Sequence, residues 1–119
     1  MAPLAAVLVI ALASILSVAA ADNQVGLQRH GKALVSKYCA HCHAIGRTDT
    51  SRHPGAPAFR RLGQRYAIEG LEEALGEGIV SGHPHMPEFR FSADDVGAII
   101  AYLKSIQARI PDRPMVNSP

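Results

Sequence analysis

The chain has 119 residues, enough for one compact domain and no more. Its formal net charge of +2, with 12 Lys or Arg against 10 Asp or Glu, is too mild for the basic stripe of a nucleic-acid-binding module. With no Trp, three Phe and three Tyr the core is thin, and domains of this size lean on a disulfide, a metal or a bound group.

The first 21 residues differ from the rest: between 4 and 21 only Ser14 and Ser17 are polar, and every charge in the chain lies beyond Ala21. An apolar run that ends in Ala19-Ala20-Ala21 reads as a secretory signal cut after Ala21. An uncleaved anchor is the competing reading, and the run is at the lower edge of the roughly 20 residues a membrane span needs. A first helix is expected over residues 25–38, where Leu27, Gly31, Leu34, Val35 and Tyr38 recur on one face. A second is expected over 68–81, with Ile68, Leu71, Leu75 and Ile79 inward and Glu69, Glu72 and Glu73 outward; Gly76 and Gly78 weaken its end. A third begins at Ser92, where Asp95 three residues on resembles a capping box. Val96, Ile99, Ile100, Leu103 and Ile106 form its apolar stripe, Lys104 and Arg109 suit its C-terminal dipole, and Pro111 ends it. Residues 44–57 and 82–90 read as loops, and 111–119 as a flexible tail. No alternating strand pattern is present, so the fold class is all-α. The domain proper is residues 22–110.

Cys39-Ala40-His41-Cys42-His43 has the form C-x-x-C-H and uses the only two cysteines of the chain. Two thiols at this spacing each reach one vinyl group of a single haem, and the next histidine falls under the iron, which makes the motif a c-type haem attachment site. A dithiol redox pair requires a βαβ setting that is absent, and a structural zinc wants four ligands where this motif offers half. The axial position opposite His43 has several candidates. Met86, in His83-Pro84-His85-Met86-Pro87, sits in a loop stiffened by two prolines; Met115 is in the tail; His83 and His85 are imidazole rivals. His41 is expected to point away from the haem, and His30 and His53 to lie at the surface.

With these residues in view, the chain resembles the class I cytochrome c family, small bacterial periplasmic members above all, over residues 31–106. Gly31 stands eight residues before Cys39, as the family's first-helix glycine does, and Ile99-Ile100-Ala101-Tyr102-Leu103 is similar to the family's last-helix run. The resemblance implies three main helices wrapped around one covalent haem c, with Gly31 and Val35 facing Ile99 and Tyr102. Gly55-Ala56-Pro57-Ala58-Phe59-Arg60-Arg61-Leu62-Gly63 is similar to the family's proline segment, which implies that the Pro57 carbonyl accepts the His43 ring N–H. Met86-Pro87 is similar to the family's axial pair, which implies Met86 as the second iron ligand beside His43. The family's aromatic in the first helix is Val35 here, and its propionate tryptophan is missing, leaving Arg60, Arg61, Arg65 or Tyr66 for that contact.

The function implied is single-electron transfer, not enzymatic turnover, in the periplasm, between transient redox protein partners, by a monomer that meets a membrane only if residues 1–21 are retained. A dedicated haem subunit of a periplasmic dehydrogenase is one alternative, and a haem sensor or enzyme with a labile Met86 is another.

Overall fold

A computed structural model describes residues 3–78 and 85–108. Among these residues there are three α-helices and no strand: α1 (Pro3–Tyr38), α2 (Leu71–Glu77) and α3 (Ala93–Ile106), with 3-10 turns at Phe59–Gln64 and Ile68–Gly70.

The first helix starts far earlier than residue 25. Between Leu4 and Val25 the sequence is dominated by Ala, Leu and other non-breaking residues, with neither Gly nor Pro, so nothing stops the helix at residue 21 or 25. The leading part is not covered by the rest of the fold: Val9, Ile10, Ile15, Leu16 and Val18 are 62–70% exposed. Among the residues whose side chains are described, no helix is long and apolar enough to cross a membrane; the side chains of residues 3–8, 11 and 12 lie outside that description. Packing begins near Gly31. A Cβ placed there would lie 1.9 Å from the Ala98 carbonyl oxygen and 2.9 Å from Tyr102 Cβ, so α1 and α3 cross backbone to backbone. Gly31 thus meets Tyr102, as expected, and also the Ala98 backbone, which the sequence did not point to.

The second helix is shorter than residues 68–81. A 3-10 turn at Ile68–Gly70 leads into α2, which ends at Gly78 with φ +113°, a conformation that only glycine adopts readily. Ile79, Ser81 and His83 fall outside the described residues. In α3 the Ser92 hydroxyl accepts from the Asp95 amide at 3.2 Å, as an N-cap should. The Asp95 carboxylate itself turns to His30 on α1, at 2.7 Å from Nε2. The core is one cluster: Val35 from α1, Phe59 and Leu62 from the first 3-10 turn, Ile68 and Leu75 from the α2 region, and the inner face of α3. Arg109, Pro111 and the tail lie outside the described residues.

Candidate haem site

Helix α1 delivers the C-x-x-C-H motif and the chain then makes one further turn. The Cys39 and Ala40 amides donate to the Val35 carbonyl at 2.9 and 3.1 Å, and the Cys42 and His43 amides donate to the Cys39 carbonyl at 3.1 and 2.9 Å. Both cysteines are half-buried, and His41 between them is exposed. Burial pushes the Cys39 thiol up to about 11.

Behind the motif, residues 44–57 are held as a rigid loop. Asp49 closes it: its carboxylate accepts the Ile45 and Gly46 amides, each at 2.9 Å. The Ser51 hydroxyl accepts the Ala44 amide at 2.9 Å, and the Tyr102 hydroxyl on α3 donates to the Ile45 carbonyl at 2.7 Å. Arg60 donates to the Asp49 carbonyl at 2.7 Å and lies 3.6 Å from the Asp49 carboxylate. Of the four residues named for the propionates, Arg60 is thus committed to the loop, while Arg61, Arg65 and Tyr66 are exposed.

This loop returns the chain to the motif. The Phe59 amide donates to the Ala44 carbonyl at 2.9 Å, which sets Pro57 and Phe59 beside His43. His43 Nδ1 lies 2.9 Å from the Pro57 carbonyl oxygen, and the Phe59 ring packs on the imidazole with 4.7 Å between centroids. A carbonyl only accepts, so Nδ1 carries the proton. The Nε2 lone pair is then free for a metal, in a ring whose orientation is fixed on two sides. Two thiols within one turn of an imidazole in this tautomer form a donor set that fits haem c.

Met86 is half-buried in a turn that begins the second described segment. Its neighbour His85 is exposed, with its ring 6.2 Å from that of His53, a residue whose amide donates to the Cys42 carbonyl at 3.2 Å. His30 lies at the surface, as expected, and there pairs with Asp95. Met115 lies outside the described residues. Sequence reasoning missed two features: the Gln107 side chain that ties the end of α3 to Phe59 and Gly63, and the contact of Tyr38 with Phe89 and Phe91. The second had a signal, because Phe89 and Phe91 alternate in an extended stretch and so share a face.

A motif of this geometry on an all-α scaffold defines a c-type cytochrome domain. The family model described as cytochrome c oxidase, cbb3-type, subunit III matches residues 26–103, and the chain belongs to this family of cytochrome c domains. A relative from Bradyrhizobium diazoefficiens named cytochrome c-552 is 31% identical over 78 residues, covering 66% of this chain and 73% of the relative. No solved structure matches the chain. The protein is an electron carrier with covalently bound haem c.

Proposed function

We propose that the chain shuttles single electrons between periplasmic or membrane redox partners, with Cys39 and Cys42 in thioether bonds and His43 and Met86 as axial ligands. The observation that carries this reading is the His43 Nδ1 contact to the Pro57 carbonyl at 2.9 Å, which leaves Nε2 to the iron. Haem c supplies the one-electron ferric/ferrous couple, and a methionine ligand raises its potential. The chain's own residues do the rest. Phe59 and Pro57 hold the imidazole, Phe59, Leu62 and the inner face of α3 exclude water, and the Asp49 loop keeps the proximal side rigid. Were His43 and Met86 both to bind the iron, no position would be left open for a substrate, which fits a carrier better than an enzyme.

The charge distribution supports transient, acidic partners. Residues 37–65 hold six Lys or Arg and one acidic residue, whereas residues 66–95 hold seven acidic residues and one Arg. Lys37, Arg47, Arg52, Arg61 and Arg65 are exposed around the haem-binding stretch. A charge asymmetry of this kind orients a molecule in a partner's field and speeds weak encounters. Residues 1–21 serve as the export signal. The exposed apolar side chains of Val9, Ile10, Ile15, Leu16 and Val18 suit equally a second reading in which this stretch stays attached as an anchor. Sequencing the N-terminus of the purified protein separates the two: Asp22 first means cleavage, Met1 or Ala2 first means retention.

The test of the function is a mass and an optical spectrum of protein made with haem-attachment machinery. The expected result is one haem-sized mass addition and, in the ferric protein, the weak far-red band of thioether ligation, lost in Met86→Ala. Absence of the mass addition overturns the thioether assignment, and a band that survives Met86→Ala overturns the axial one.

A further inference from the structure

The stretch that carries Met86 touches the haem-binding stretch on both sides of the methionine. Before it, the His85 ring lies 6.2 Å from that of His53. After it, Phe89 and Phe91 both close on Tyr38, with 5.6 and 5.5 Å between ring centroids, and lie 6.0 Å from each other. The interplanar angle is 59° for Tyr38 with Phe89, a tilted pair, and 73° for Tyr38 with Phe91, the edge-on arrangement that aromatic pairs prefer. Tyr38 is the last residue of α1 and the one directly before Cys39. The Phe91 amide donates to the Leu75 carbonyl at 2.9 Å, so the far end of the stretch is also fixed to α2. Met86 and Phe89 are three positions apart, a span of at most about 11 Å of chain. The Tyr38–Phe89 contact therefore bounds how far Met86 moves from the haem cysteines.

We propose that Tyr38 and Phe89 are positioning residues for the axial thioether: their ring contact holds the Met86 stretch closed over the haem. The proposal rests on the reading of Met86 as the iron ligand. A thioether is a weak donor, so its occupancy depends on how rarely the stretch that carries it opens. Opening requires Phe89 and Phe91 to leave Tyr38, and their ring contacts oppose it. An outside ligand reaches the iron only from the open form, so its apparent affinity reports that population directly.

The test titrates the full ferric holoprotein with imidazole and follows the far-red thioether band. Tyr38→Ala and Phe89→Ala are each expected to raise the apparent imidazole affinity at least about five-fold, the scale of one lost aromatic pair. Tyr38→Phe keeps the ring and is expected to stay within about two-fold of wild type on the same grounds. Where Phe89→Ala does not give folded holoprotein, Phe89→Leu keeps apolar bulk and is expected to raise the affinity about three-fold or more. Unchanged imidazole affinity in the Ala variants, with only the melting temperature lowered, overturns the proposal, as does a Tyr38→Phe variant as weak as Tyr38→Ala. A wild type without the band, or a Met86→Ala variant that keeps it, overturns the ligand reading and the proposal together. A band that Met86→Ala abolishes, beside unaltered imidazole affinity in Tyr38→Ala and Phe89→Ala, overturns the positioning role alone.

Discussion

Gly31 on α1 lies directly against the Ala98 carbonyl on α3, with no room for a side chain: a Cβ would sit 1.9 Å from that oxygen. This crossing holds the helix that bears the haem motif against the helix that carries most of the core. Because the obstacle is backbone, a larger residue must push the helices apart. Gly31→Ala is expected to destabilise the holoprotein by about 3 kcal/mol or more, the upper range for overpacking. Guanidinium unfolding of the two holoproteins measures it, and a loss under about 1 kcal/mol, the low end of that range, would show that the crossing yields.

Gln107 joins the end of α3 to the 3-10 turn beside His43. Its amide nitrogen donates to the Leu103 and Phe59 carbonyls at 2.7 and 2.9 Å, and its amide oxygen accepts the Gly63 N–H at 2.8 Å. A Cβ on residue 63 would lie 2.9 Å from that same oxygen, so a larger residue there would displace the Gln107 amide. Gln107→Ala breaks all three bonds and leaves the half-buried Phe59 carbonyl short of a partner. The expected cost is about 2 kcal/mol. Faster amide exchange at Gly63 in Gln107→Ala than in wild type would tie the loss to this clamp.

How much of this was legible in sequence depended on the range of the interaction. The C-x-x-C-H spacing, the α3 stripe and its Ser92 cap are local patterns, and each stands where it was read. Gly31 and its neighbour Tyr102 were legible through family likeness, but the Ala98 carbonyl was not, because the exact crossing point depends on the tilt of two helices. Bonds such as Gln107 to Phe59 and Asp49 to the Ile45 amide depend on where loops return, which periodicity does not record. Helix α1 begins before residue 25 because neither Gly nor Pro interrupts residues 4–25, and the amphipathic periodicity that marks residues 25–38 does not record where an all-apolar helix starts.

Tyr102 combines a buried ring with a hydroxyl that donates to the Ile45 carbonyl at 2.7 Å. Burial, then the nearby Asp49 carboxylate, holds its phenol above the ordinary value of 10.0. A raised folded-state value means that the unfolded chain ionises first. The stability tied to the neutral phenol is complete below about pH 10 and is lost as pH rises from there through the folded-state value. Wild-type stability is thus expected to fall above about pH 10, while Tyr102→Phe shows a flatter alkaline limb and sits about 1 kcal/mol lower at neutral pH for the missing hydrogen bond. Parallel alkaline limbs in the two proteins would place the titration elsewhere.

The basic character of residues 37–65 leads to a kinetic expectation that needs no knowledge of the natural partners. Electron transfer near a surface bearing Arg61 and Arg65 favours an anionic reagent at low salt, and the preference fades as the Debye length shrinks from about 30 Å at 0.01 M to about 3 Å at 1 M salt. Oxidation of the ferrous protein by an anionic iron cyanide complex is therefore expected to slow by about ten-fold or more across that range. A cationic cobalt complex should show the opposite trend or none. Arg61→Gln with Arg65→Gln leaves the core untouched, since both side chains are exposed, and should shallow the salt dependence with the anion while leaving the high-salt rate near wild type. If both reagents slow alike, screening acts on something other than local charge. If the double variant keeps the full slope, the reagents approach the haem from a side that these arginines do not govern.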